Sequence, residues 1–380
     1  MLASTTKGSR GLGERLREKS VLVCVGAGGV GKTTTSAALA LGLAQQGQKV
    51  AVVTIDPARR LASALGLAEL PSEPRRIDPA LLAEQGVPAG GELWAMMLDA
   101  KRTFDELITR LAPDEQAREE ILANPVYREL STAVAGSHDL SAIAKLYELH
   151  EEHDFDVIVL DTPPSRNALD FLDAPNRLLG FLDGRALQVF LKPGGLTARV
   201  FGRGTALVFA IFARVTGVDM LSELSRFFRA LSGVTEGFGE RTRAVASLLR
   251  DERTSFLIVT SPEPEPAREA RFLAARLAAS GMAVGALIVN RVHVHGLHGF
   301  SAPEVTELLA GELGQRLAAR VAANLADFDV LVQRDRETIE HLSRGGSADA
   351  PLPPPVLVPY LDEDVQDLLG LGRLAQHLLD

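Results

Sequence analysis

Val21-Leu22-Val23-Cys24-Val25-Gly26-Ala27-Gly28-Gly29-Val30-Gly31-Lys32-Thr33-Thr34 decides the reading of this chain. Its first five residues are apolar and mostly β-branched, which reads as a strand buried on both faces. Gly26 to Thr33 fits G-x-x-x-x-G-K-[ST]. Thr33–Gln46 follows as an alanine-rich helix that Gly47 closes. Strand, glycine loop and helix together make a phosphate cradle. Glycines let the backbone N–H groups converge on phosphate oxygens, and the helix presents its positive end to the same anion. Lys32 supplies a point charge, and the Thr33 hydroxyl is placed to ligate a magnesium ion.

Similar apolar runs recur at Val50–Ile55, Leu93–Leu98, Val157–Leu160, Phe256–Thr260, Val284–Val289 and Val356–Val358. Helical patterns separate most of them, among them Ala267–Ser280 before Gly281. The alternation predicts an α/β fold with a doubly wound, mainly parallel sheet, whose ligands sit at the carboxyl ends of the strands. Two further carboxylates stand at such ends. Asp161 closes Val157–Leu160, where a carboxylate holds Mg²⁺ through water. Asp56 closes Val50–Ile55, placed either to orient an attacking water or to cap the next helix.

Two stretches break the alternation. Thr103–Glu152 reads as helices with no strand between them. Arg185–Val245 holds seven of the fifteen phenylalanines and a net charge of +5, leaving −14 for the rest of a chain of −9. Met220, Leu221, Leu224, Phe227, Phe228 and Leu231 fall there on one helical face. That face suits a client groove or the core of a helical subdomain equally. The expected organisation is a flexible arm over 1–20 and a first core part over 21–184, with the helices of 103–152. An apolar, basic helical insert over 185–245 and a second core part over 251–380 follow.

Composition excludes other classes. At 380 residues a chain buries roughly three quarters of its unfolded surface, so a large core is available. One cysteine makes neither an intramolecular disulfide nor a thiolate metal cage. The acidic balance argues against a nucleic-acid partner. No run reaches the ~18 apolar residues of a transmembrane segment, and Met1 to Ser20 has no apolar stretch of a secretory signal. A cytoplasmic location is the expectation.

These residues resemble a known family. Gly28-Gly29-Val30-Gly31-Lys32-Thr33-Thr34 is similar to the deviant Walker A loop of dimeric NTPases. Thr54-Ile55-Asp56-Pro57-Ala58 with Leu61 resembles switch I of the arsenite-pump and tail-anchored-protein targeting ATPases. Asp161-Thr162-Pro163-Pro164-Ser165 with Leu169, Phe171 and Pro175 resembles their switch II, and the wording is that of the bacterial ArsA-like subgroup. The resemblance implies ATP and Mg²⁺ as cofactors, with Thr33 and Asp161 at the metal and Asp56 and Lys32 as catalytic groups. It places Asn290 and Arg291, and the loop Pro359-Tyr360-Leu361, at the adenine. It implies a homodimer, or a heterodimer with a paralogous ATPase, that closes on ATP and opens after hydrolysis. A hydrophobic helical client or membrane-protein partner would lie against Phe209, Phe212, Leu224, Phe227 and Phe228. The same Walker loop also serves exporter motors and MinD- or ParA-like positioning ATPases. Against the last, the tail Leu361–Asp380 is acidic, with Arg373 its only Lys/Arg.

Two departures qualify the resemblance. The family's signature lysine is Ala27 here. ATP binding is expected and hydrolysis is expected to be slow, unless Arg59, Arg60, Arg166 or a partner chain supplies the charge. The cysteine clusters of the pump and of the zinc clasp are missing. His293, His295 and His298 occupy the clasp's place, where a polar loop is expected rather than a zinc site. Cys24, inside the first strand, is expected to be a buried apolar residue.

Overall fold

The structure, a computed structural model, describes residues 11–55, 60–125, 127–128, 137–163, 234, 237–294, 296–297, 299–344, 352–361 and 363–379. They fall into two compact units, 11–97, 155–163 and 250–379 in one, and 98–154, 234 and 237–249 in the other.

The first unit is built on an eight-stranded sheet. Its strands are β1 (Val21–Val25), β2 (Lys49–Thr54), β3 (Arg75–Arg76), β4 (Glu92–Met97), β5 (Val157–Asp161), β6 (Thr254–Thr260), β7 (Val284–Val292) and β8 (Pro355–Pro359). They lie in the order β3-β4-β2-β5-β1-β6-β7-β8, parallel except for the two-residue edge strand β3. All seven expected strands are present, and the doubly wound reading holds. β1, β5 and β6 are buried along their whole length, because helices cover both sheet faces.

Helices α1 (Leu12–Leu16), α2 (Lys32–Gln45), α3 (Arg60–Ala64) and α4 (Pro79–Glu84) belong to this unit. After Gly31 in the left-handed conformation, α2 runs as the sequence predicts, and Gly47 ends it at φ 96°. It is buried nearly all round, between the sheet and the last helix. That helix comes so near that a Cβ on Gly42 would meet Leu379 at 2.5 Å.

The second unit carries α5 (Ala100–Leu111), α6 (Glu115–Ala123), α7 (Ser137–Glu152) and the helical residues 237–248. The strand-free reading of Thr103–Glu152 thus holds for the described residues. Asp99 and Asp114 cap α5 and α6 by accepting from Arg102 N at 3.0 Å and Ala117 N at 2.7 Å. Ile108, Ile121, Tyr127 and Val234 form its apolar core. Lys145 of α7 is fully buried and donates to Glu148 at 2.9 Å and Glu106 at 3.5 Å, tying α7 to α5.

The first unit ends with α8 (Pro264–Ala279), α9 (Ala302–Leu313), α10 (Gln315–Arg344) and α11 (Leu368–Leu379). α8 begins three residues before the expected Ala267, because prolines serve well in a first helical turn. The 30-residue α10 is a feature the sequence reading left unassigned. Among the described residues no helix is long and apolar enough to cross a membrane.

Candidate nucleotide site

Strand β1 ends at Val25, and the glycine loop opens at the carboxyl edge of the sheet's middle. Two glycines there are obligatory for steric reasons. A Cβ on Gly26 would sit 2.0 Å from the Val259 carbonyl oxygen of β6. Gly31, at φ 93°, would place one 2.3 Å from Asn290 Nδ2. Lys32 is buried, and its ammonium donates to the carbonyls of Gly26 at 2.9 Å and Ala27 at 2.7 Å. Gly28 and Gly29 are exposed at the loop's tip, and Val30 packs into the core beneath it.

Parallel register brings β1, β2 and β5 level at their carboxyl ends, with Cys24 beside Asp161 and Thr54 on its other side. Asp161 is fully buried. Its Oδ2 accepts from Thr33 Oγ1 at 2.8 Å and from Thr54 Oγ1 at 2.9 Å. Carboxylate and hydroxyl oxygens at this spacing form the hard donor set that Mg²⁺ requires, so Thr33 and Asp161 fit the metal the motif implies. Thr162 fastens the strand end by donating from Oγ1 to the Cys24 carbonyl at 2.7 Å. Burial pushes the Cys24 thiol up to about 12; a hydrogen bond with Ser36 opposes the shift, the Asp161 charge adds to it and the Lys32 charge again opposes it. The cysteine is therefore a neutral core group, as expected.

On the other side, Asn290 near the end of β7 donates from Nδ2 to the Val30 carbonyl at 2.9 Å. Its Oδ1 accepts from Arg291 N at 3.0 Å. Arg291 is exposed and is the one non-glycine among the described residues with a positive φ, 60°. The β8 end lies alongside, with Pro359 paired to Val292 and Tyr360 N donating to Val292 O at 2.8 Å. Leu361 follows, half-buried.

Gly28 to Thr34, Asp161 and Asn290 thus come together around one loop. Asp56, Arg59, Arg166, His295, His298 and the groove candidates Phe209, Phe212, Leu224, Phe227 and Phe228 lie outside the described residues. Arg60 begins α3 with its side chain exposed. Among the described residues no group of three His, Cys, Asp or Glu is placed to hold a metal ion. Two side-chain contacts carry no signal in the sequence. Thr54 belongs to the switch I resemblance, but only the strand register and its hydrogen bond show that it faces Asp161. Asp335 of α10, which binds His293 at 2.7 Å, is 42 residues away in sequence and carried no local signal.

Comparison with known proteins converges on one family. A sequence model described as anion-transporting ATPase matches residues 19–296. An uncharacterised protein of Streptomyces coelicolor is 30% identical over 275 residues, 71% of this chain and 62% of its own length. The ATPase GET3 of Malassezia globosa is 27% identical over 282 residues, covering 73% of this chain and 74% of its own. A putative arsenical pump-driving ATPase 1 of Aquifex aeolicus is 28% identical over 280 residues, 72% of this chain and 63% of its own. The match thus spans about three fifths of the Streptomyces and Aquifex proteins.

Proposed function

The chain belongs to the anion-transporting ATPase family, and on that premise we propose that it binds ATP with Mg²⁺ at the β1–α2 loop and hydrolyses it slowly. The observation that carries this reading is the contact of Thr33 with the buried Asp161 at the mouth of a glycine loop. Lys32 neutralises the terminal phosphates, and the backbone N–H groups of Gly28 to Thr34 bind their oxygens. Thr33 and Asp161 would hold Mg²⁺, which would supply further charge neutralisation to the bound phosphates. Asp56 orients the attacking water and accepts its proton. Asn290, Arg291, Pro359, Tyr360 and Leu361 receive the base.

Alanine at position 27 supports the slow rate, since a partner's charge at the transferring phosphate is worth roughly 10³–10⁵ in turnover. The chain works as a dimer, with itself or with a paralogous ATPase. ATP-driven closing gates a hydrophobic segment of a client at the insert 185–245. Relatives named ATPase GET3 and arsenical pump-driving ATPase are about equally similar; against export of a metalloid, the single buried cysteine offers no thiolate cluster.

Steady-state ATP hydrolysis with and without Mg²⁺ tests the reading. Thr33→Ala and Asp161→Asn each lower turnover at least 100-fold and abolish its dependence on Mg²⁺. Wild-type levels in either variant overturn the site assignment.

A further inference from the structure

Beyond Asn290, the end of β7 carries a group of rings that the phosphate site does not use. His293 follows Val292, and its backbone N–H donates to Asp335 Oδ2 at 3.0 Å. Its Nδ1 lies 2.7 Å from the same oxygen. A carboxylate of this kind only accepts, so Nδ1 carries the proton. The imidazole stacks on Tyr360, with centroids 5.5 Å apart and planes 15° from parallel. Phe328 of α10 borders it at 6.4 Å.

Asp335 is fully buried, and its other oxygen accepts from Arg334 Nη2 at 3.0 Å. A carboxylate is expensive to bury, and an apolar residue would fill the same place on α10 without that penalty. What the carboxylate adds is orientation. It fixes both the backbone and the ring of His293, as a carboxylate fixes the ring of a metal-bound histidine. Tyr360 is then held twice, by its N–H on Val292 O and by the imidazole against one face. The residue nevertheless remains 55% exposed. Asn290, three residues before His293 and near the end of β7, ties this corner to the phosphate loop through Val30.

We propose that Asp335 is a positioning residue for the base end of the nucleotide, acting through His293 to hold Tyr360 as a stacking face for the purine. This rests on the nucleotide-binding reading above. Stacking on an aromatic ring tolerates any base, so the contribution appears as adenosine-dependent affinity and not as discrimination between purines.

Calorimetry with Mg·ATP and with Mg·tripolyphosphate on the full chain separates the base from the phosphates. Asp335→Asn, His293→Ala and Tyr360→Ala weaken Mg·ATP binding about tenfold and leave Mg·tripolyphosphate unchanged, whereas Tyr360→Phe retains wild-type affinity. Should Asp335→Asn not fold, His293→Phe keeps a ring that Asp335 cannot orient, and it weakens ATP alone. Wild-type ATP affinity in Asp335→Asn or His293→Phe overturns the proposal, as does equal weakening of both ligands. A wild-type chain that binds tripolyphosphate as tightly as ATP overturns the stacking role and spares the phosphate site. One that binds neither overturns the nucleotide reading as well.

Discussion

Asp161 and Cys24 are neighbours across one strand pair, and their burial has opposite chemical consequences. The carboxylate is retained because two hydroxyls, of Thr33 and Thr54, donate to it. The thiol, pushed up to about 12 from 9.0, remains neutral and inert. Its effect on stability has a definite sign. Between about pH 9 and 12 the unfolded chain loses the thiol proton while the folded chain keeps it, so unfolding becomes easier as pH rises. At about pH 10.5 the wild type is expected to have lost about 2 kcal/mol more than Cys24→Ala, relative to neutral pH. Denaturant titrations at the two pH values measure the difference, and equal losses in the two proteins would contradict the buried, neutral thiol. A maleimide reagent should likewise label Cys24 only after denaturation. The glycine loop and Asp161 were legible in sequence because each is a short pattern at the end of an apolar run. Thr54 was legible as part of the switch I resemblance, but its hydrogen bond to Asp161 was not, because a threonine near a strand end has no such signature until the neighbouring strand is known.

At the scale of elements, the clearest strands to read were those buried on both faces, where continuous apolar runs leave little ambiguity. Several strand ends moved by one to three residues: Lys49 and Glu92 are polar yet pair with each other in the ladder, and β7 runs past an irregularity after Val289 to pair Val292 with Pro359. Helix α10 was illegible for a physical reason. Over 30 residues it buries only Ala318, Ala322, Val332, Asp335 and Leu342, too sparse for an apolar stripe. Lysine use did carry a usable signal. Only seven lysines stand against 33 arginines, and Lys32 and Lys145 are both buried. Arginine could not replace Lys145 without a larger, forked head group in a closed site. Lys145→Met removes the cation from Glu148, whose side chain is 11% exposed. Arg110 at 3.7 Å remains as partial compensation. The loss expected is therefore about 3 kcal/mol, the lower end for a broken buried pair. Amide hydrogen exchange in α5 and α7 reports it, and unchanged protection there would refute the clamp.

At the scale of the molecule, charge and helical content divide unevenly along the chain. Arg185–Val245 carries +5 against −14 for the rest of the chain, and it lies largely outside the described residues. Whether that insert is groove or core was undecidable from periodicity, because an amphipathic stripe looks the same facing a client or a neighbouring helix. The dimer is the testable part. Sedimentation velocity with Mg·ATP in the Asp56→Asn variant, which is expected to bind without turning over, should show a larger dimer fraction than the nucleotide-free protein. A sedimentation profile indifferent to nucleotide would remove the gating cycle while leaving ATP binding intact.

The strand order carries a consequence for how the chain comes into being. β1 leaves a ribosome well before its neighbours in the sheet, since Val21 pairs with Ile158 on one side and Thr254 on the other. At roughly 5–20 residues per second, one edge of that strand waits about 7–27 s for its partner and the other about 12–47 s. Throughout that interval Val21–Val25 is an unpaired apolar segment of high β-propensity, a template for pairing with other chains. The same centrality that sets the phosphate loop in the middle of the sheet makes its strand the most exposed to misassembly during synthesis. Holding factors that bind short apolar segments would act there first.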